Sequence, residues 1–258
     1  FKSLVHRLLH ASEVIPLGRA HLFYCLEALR DVNRLHGDDV ILAARPLKEL
    51  AWWEASLIGA ERHAVPLAAR FLFPSSDEPG VLTHYGDASR EYDEVTQLAD
   101  PSSGWGAWAV VDGTFVFVEG RWESIECAQF SINALELKTE LIGAFVFTAY
   151  ARSVGSEVTH VRTFIDNTSA EFVSERGRTQ AAGMNALNIE RQQWLVDEGV
   201  HQMTLRVESV FNDVADLLSR GDIEEALRFP REAKMPILRL PVPSSIRSLD
   251  GVPTTWSA

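Results

Sequence analysis

Four acidic side chains stand where an acid is either costly or conspicuously placed. Asp216 lies inside the helical run Val214-Ala215-Asp216-Leu217-Leu218, and an ionised carboxylate among such neighbours is expensive unless it is paired or holds a metal. Asp87 and Asp166 each end a strand pattern, Val81-Leu82-Thr83-His84-Tyr85-Gly86-Asp87 and Val158-Thr159-His160-Val161-Arg162-Thr163-Phe164-Ile165-Asp166. Glu136 falls in the first turns of a long helical pattern that starts near Ser131. Four carboxylates brought together would raise one another's pKa unless a cation neutralised them. An all-oxygen donor set suits Mg²⁺ or Mn²⁺ rather than zinc. Two such ions about 4 Å apart activate water and stabilise a leaving oxygen, the chemistry of phosphodiester cleavage. Convergence is expected if the helices carrying Glu136 and Asp216 pack on one face of a sheet. Each acid also has an ordinary role: Asp87 in a turn, Asp166 as a cap, Glu136 on a solvated face, Asp213 or Asp216 near a helix N-terminus.

The elements that would position these acids can be read in order. Residues 1 to about 70 read as helical: an amphipathic start with Leu4, Val5, Leu8 and Leu9, a break at Pro16, a helix from Gly18 to Val32, and another from Pro46 to Gly59. The adjacent pair Trp52-Trp53 points about 100° apart on a helix, so both are buried only at a crowded junction or one meets another domain, ordinary core packing being the simpler reading. Pro74-Ser75-Ser76-Asp77-Glu78-Pro79-Gly80 marks a boundary. Beyond it, the strand ending at Asp87 precedes a polar loop, 90–103. Trp105 to Val111 and Thr114 to Val118 flank Asp112-Gly113, which suits a type I′ hairpin turn. A long apolar helix from Ser131 to Ala151 is central. The strand ending at Asp166 follows, then a capping box Thr168-Ser169-Ala170-Glu171, a helix from about Met184 to Val196, and the alternating strand His201 to Val207. Asn212 is a good N-cap for the helix bearing Asp216. After Gly221 a short helix through Leu227 gives way to a proline-rich, irregular tail. The class is α/β with a mixed five-stranded sheet, three antiparallel strands plus two added by helical crossovers. Three segments are expected: 1–73, 74–222 and the tail 223–258.

Lys and Arg total 24 against 36 Asp and Glu, a net charge of −12. Nucleic-acid binders draw affinity from counterion release and usually show a basic footprint, so an independent, tight nucleic-acid binder is not expected. A metal nuclease whose acids are neutralised by cations remains compatible with this balance. No apolar stretch approaches the ~18 residues of a membrane span. The start at Phe1 lacks the pattern of a secretory signal, and Cys25 and Cys127 show no zinc spacing. The expectation is an intracellular protein, cytoplasmic or nuclear.

The segments around the acids resemble a known family. Gly86-Asp87-Ala88-Ser89, Asn133-Ala134-Leu135-Glu136-Leu137, Phe164-Ile165-Asp166-Asn167-Thr168 and Asn212-Asp213-Val214-Ala215-Asp216-Leu217-Leu218-Ser219-Arg220 look like a retroelement ribonuclease H domain. The last is the most specific, since Asn-x-x-Ala-Asp-x-Leu-Ser-Arg closes this domain in gypsy-like and DIRS-like retrotransposons. Leu8 to Arg19 and Leu50-Ala51-Trp52-Trp53 resemble the connection segment that precedes it in DIRS-like reverse transcriptases. Glu175-Arg176-Gly177 and Met184-Asn185-Ala186-Leu187-Asn188 also fit that group. The resemblance covers about residues 1 to 222. It implies a ribonuclease H-like sheet and cleavage of the RNA strand of an RNA/DNA hybrid with two Mg²⁺ ions (Mn²⁺ as substitute). It also implies Asp87, Glu136, Asp166 and Asp216 as metal ligands, with a reverse transcriptase polymerase domain as partner in the parent protein. Asp213 is not among the ligands. A Tyr-x-Asp-Asp polymerase motif is absent.

Two departures bear on activity. The family's cellular and retroviral members carry a His in the loop before the last Asp, whereas the segment from Val207 to Asp216 has none, as in many gypsy-like domains. No separate basic, aromatic substrate-gripping arm is evident. His84 beside Asp87 is a candidate substitute proton shuttle, though an inert strand histidine is the simpler reading. A second class of function follows: a catalytically idle, host-recruited scaffold or interaction domain. An integrase-like transposase fits less well, because it places Glu last and here the late acid is Asp.

Overall fold

The computed structural model describes residues 1–12, 15, 17–35, 42–59, 78–168, 173, 179, 182–244 and 246. In chain order its elements are α1 (Lys2–Ala11), α2 (Phe23–Leu35), α3 (Ala44–Ile58), β1 (Val81–Ser89), β2 (Tyr92–Asp93), β3 (Leu98–Ala99), β4 (Gly104–Val111), β5 (Thr114–Arg121), α4 (Ser124–Gln129), α5 (Ile132–Ser153), β6 (His160–Ile165), α6 (Ala182–Glu198), β7 (His201–Arg206), α7 (Asp213–Arg220), α8 (Ile223–Ala226), α9 (Arg228–Glu232) and β8 (Ile237–Arg239). The chain divides into two compact units, residues 1–72 with 176–197 and residues 73–175 with 198–258. The expected capping box beyond Thr168 lies outside the described residues.

In the first unit, Val5, Leu8, Ile15, Leu22, Cys25, Leu29 and Trp53 form the buried core. The tryptophan pair separates as its geometry requires: Trp53 is buried, while Trp52 is half-buried and stacks on His21 at 4.0 Å. The expected helix from Gly18 begins later, after a 3-10 turn at Ala20–Leu22. Buried Glu49 of α3 receives the backbone N–H groups of Tyr24 and Cys25 at 3.0 and 2.8 Å. It thereby satisfies donors that the first turn of α2 leaves open.

The second unit is built on a six-stranded sheet of order β7-β6-β1-β4-β5-β8. β1, β4 and β5 pair antiparallel, while β6 is parallel to β1 and β7 parallel to β6. This is the mixed sheet expected, three antiparallel strands with two more added in parallel, and all five expected strands are present. A sixth is added where the proline-rich segment was expected to be irregular: Ile237–Arg239 lies parallel to β5, and Arg239 pairs with Glu119. The β4–β5 turn has Asp112 and Gly113 both at positive φ, 47° and 73°, as a type I′ turn demands. The polar loop after β1 contains the small β2–β3 hairpin.

α5 is buried along almost its whole length, through Leu135, Leu137, Leu141, Ile142, Ala144, Val146 and Phe147. Among the described residues no helix is long and apolar enough to cross a membrane. Residues opposed across paired strands share a face. Gly86 opposes Ala107, and both meet α5, at Thr139 and Gly143. Asp87 opposes Gly106, where any Cβ would collide with Leu218 of α7. α5 and α7 therefore cover opposite faces of the sheet, not one face as convergence of the acids was expected to need. The correction follows from strand alternation, which turns neighbouring residues of β1 to opposite helices.

Candidate metal centre

The acids meet at the rim instead. Asp87 is near the C-terminal end of β1, Asp166 directly follows β6, and these two strands are parallel neighbours. Ser131 caps α5, its hydroxyl accepting the Ala134 N–H at 3.4 Å, which starts the helix so that Glu136 falls in its second turn. One oxygen each from Asp87, Glu136 and Asp166 lies within 4.8 Å of the others. Asp216 is not part of that group; its carboxylate pairs with Arg220 at 2.9 Å, one turn along α7. It is still near enough to add repulsion at Asp87.

Asp87 and Glu136 are 5% and 4% exposed, and their proton affinities show it. Burial, then repulsion from Asp166 and Asp216, pushes the Asp87 carboxyl up to about 7, although Ser219 and Arg220 pull the other way. Glu136 is held well above the ordinary carboxyl range by burial and by repulsion from Asp87 and Asp166, partly offset by the Ala88 N–H. Among the described residues its Oε2 has no hydrogen-bond partner. A buried acceptor left unsatisfied costs on the order of 1–3 kcal/mol. Three carboxylates in reach of one another, one with an orphaned buried oxygen, fit a hard divalent cation, whose oxygen ligands stand about 2.1 Å away for Mg²⁺.

α7 is stapled to β1 at both ends. Asn212 occupies the N-cap position, but its side chain makes no cap hydrogen bond; its buried Nδ2 donates to the Gly86 carbonyl at 3.1 Å instead. At the other end Ser219 Oγ donates to Asp87 Oδ2 at 2.6 Å. Gly221, at φ 86°, closes the helix in the left-handed conformation. Arg121 of β5 donates to the carbonyls of Ser219 and Arg220 at 3.0 and 2.9 Å. Asp166 is held by Ser209 Oγ at 2.9 Å. Ser209 and Arg121 do not stand out as site residues in the sequence, whereas Ser219 is the serine of the closing motif, with no role read for it there. The readable signal was Gly104-Trp105-Gly106, whose alternate glycines mark a close approach on one face of a strand.

His84 does not serve the acids. It faces α5 while Asp87 faces α7, and its Nε2 is 2.7 Å from the Thr163 hydroxyl. Complete burial lowers its pKa to about 3, so the ring is neutral and acts as a core polar group.

No protein-family model and no curated protein sequence matches the chain. Similar solved structures are ribonucleases H. The RNase H1 of the halophilic archaeon Halobacterium salinarum is 19% identical with a TM-score of 0.41, covering 57% of this chain and 99% of that one. The N-terminal RNase H domain of a Mycobacterium tuberculosis protein, fused to maltose binding protein, is 17% identical with a TM-score of 0.36, covering 57% and 98%. LC9-RNase H1, a type 1 enzyme with the type 2 active-site motif, is 13% identical with a TM-score of 0.35, covering 66% and 92%. At these values the case for a site rests on the side chains themselves.

Proposed function

We propose that the chain is a metal-dependent endonuclease that cuts the RNA strand of RNA/DNA hybrids, as the ribonuclease H part of a retroelement reverse transcriptase. The observation that carries this reading is the meeting of Asp87, Glu136 and Asp166 at the rim, with Glu136 Oε2 buried and, among the described residues, unpartnered. The chain order of the acids and the closing Asn212 to Arg220 motif support it. Asp87, Glu136 and Asp166 would hold Mg²⁺ or Mn²⁺, and Asp216 would join them on leaving Arg220. Bound ions supply activation of water and stabilisation of charge on the phosphoryl and leaving oxygens. The chain's own residues prepare for that. Asp87 and Glu136 hold protons more tightly than ordinary carboxyls, so loading a cation would release protons, and Ser209 orients Asp166. Strand choice would come from the 2′-hydroxyl and backbone shape rather than base edges. With a net charge of −12, much of the substrate affinity would come from a partner, the polymerase domain of the parent protein. Such an enzyme would work in the cytoplasm or nucleus.

Cleavage of a labelled hybrid in Mg²⁺ or Mn²⁺ tests the reading. Asp87→Asn and Asp166→Asn should each lose about a hundredfold or more in rate, since a metal's charge stabilisation is worth several kcal/mol. Undiminished cleavage by either variant refutes the assignment. The idle-scaffold reading is favoured by one observation, the pairing of Asp216 with Arg220 away from the other acids. Calorimetric titration with Mn²⁺ separates the two, because a scaffold shows no binding that depends on Asp87.

A further inference from the structure

Ser219, in the last turn of α7, is fully buried. Its hydroxyl lies 2.6 Å from Asp87 Oδ2 and 2.8 Å from the Asp216 carbonyl. A hydroxyl has one proton to donate, and an ionised carboxylate is the stronger acceptor as well as the nearer. The bond back to Asp216 is one that helical serines commonly make; the bond across to β1 is specific to this place in the fold.

The position of that hydroxyl is determined from several sides. The Ser219 carbonyl accepts from Arg121 Nη1 at 3.0 Å and lies 3.0 Å from Ser89 Oγ, whose single proton has the Ser102 carbonyl as a second acceptor at 2.8 Å. Ser89 lies two residues beyond Asp87 on β1 and so shares its face. Gly106, opposite Asp87, lets the backbone of α7 approach the strand this closely. Among the described residues, Ser219 Oγ supplies the hydrogen bond that restrains the Asp87 carboxylate. The terminal torsion of Asp is broad, and its neighbours Glu136, Asp166 and Asp216 repel it once it ionises.

We propose that Ser219 is a positioning residue of the metal centre: by holding Oδ2, it keeps the Asp87 carboxylate turned towards Glu136 and Asp166. This rests on the reading of those acids as a metal site. Outer partners of this kind typically contribute 10- to 100-fold in metal affinity, an order-of-magnitude range.

The test is Mn²⁺ binding to the full chain without nucleic acid, followed by calorimetry and by the electron paramagnetic resonance signal of free Mn²⁺. Wild type is compared with Ser219→Ala, Ser219→Cys, Ser219→Thr and Asp87→Asn. The Ala and Cys variants should bind Mn²⁺ about tenfold more weakly or worse. Cys preserves volume but is a weak donor, so it separates the loss of the hydroxyl from the loss of packing. Ser219→Thr, which keeps the hydroxyl, should restore binding. Ala and Cys variants that bind Mn²⁺ as wild type does would overturn the role of Ser219 and leave the metal site standing. A wild type that binds no Mn²⁺, or an Asp87→Asn variant that binds it equally well, would overturn both.

Discussion

Replacing Asp87 by Asn should make the metal-free protein more stable at neutral and alkaline pH. The carboxyl is raised from its ordinary 3.8 to about 7 by burial and by neighbouring acids. For an acid with a raised native pKa, the unfolded chain gives up its proton first. Stability is then fullest below pH 3.8 and falls as pH rises towards 7. Each tenfold change in proton affinity corresponds to about 1.4 kcal/mol, so the ionised carboxylate costs the native state about 4 kcal/mol above pH 7. Local relaxation and water entry reduce that, and a gain of about 2 kcal/mol for Asp87→Asn is expected at pH 8. Asn keeps an oxygen to accept from Ser219 and carries no charge. Urea unfolding in EDTA at pH 4, 6 and 8 measures this. The difference between variant and wild type should be near zero at pH 4, grow through pH 6 and level off above 7. Excess Mn²⁺ should then stabilise wild type and not the variant, by about 2.7 kcal/mol at a hundred times the dissociation constant. A variant less stable than wild type at pH 8 in EDTA would refute the reasoning, because Asp87 would then be a favourable charge in the native state.

Three further outcomes can be measured. Arg121→Ala removes charged donors from the last carbonyls of α7 and should destabilise the protein by about 2 kcal/mol, read by denaturant unfolding, with a larger loss of hybrid cleavage than that figure alone implies. Lys138→Met leaves Glu126 without the ammonium that sits 2.6 Å away in a buried pair, and should cost about 3–5 kcal/mol. The double variant Lys138→Met/Glu126→Gln should recover part of that loss in the same assay. Gly106→Ala drives a methyl into Leu218 and should cost about 1–3 kcal/mol by overpacking, lowering the thermal midpoint.

Much of this was legible because the signals are local. Alternation in His201 to Val207 and the Asp112-Gly113 turn depend only on neighbours in sequence, and both are as read. The pairing of Asp216 with Arg220 is an i,i+4 pair on a helix and so is also legible from sequence spacing alone. What was not legible depends on register. The face on which α7 packs follows from Asp87 opposing Gly106, and no periodicity within α7 reveals its partner strand. β8 is three residues long and follows Pro236, so its strand character comes from pairing with β5 rather than from its own pattern. The N-cap position of Asn212 is legible in the sequence but its bond to the Gly86 carbonyl is not, because a cap residue whose side chain reaches a distant carbonyl looks the same in sequence.

The division of the chain has a consequence for the order in which it is made. Residues 1–72 form one unit with 176–197, and 73–175 emerge in between. On a ribosome, the first helices therefore wait for α6 until β1, β4, β5 and β6 have left the exit tunnel. The second unit waits in turn for β7 and α7, made after α6. Closing such long loops slows folding, and neither unit can be completed from one uninterrupted stretch of nascent chain.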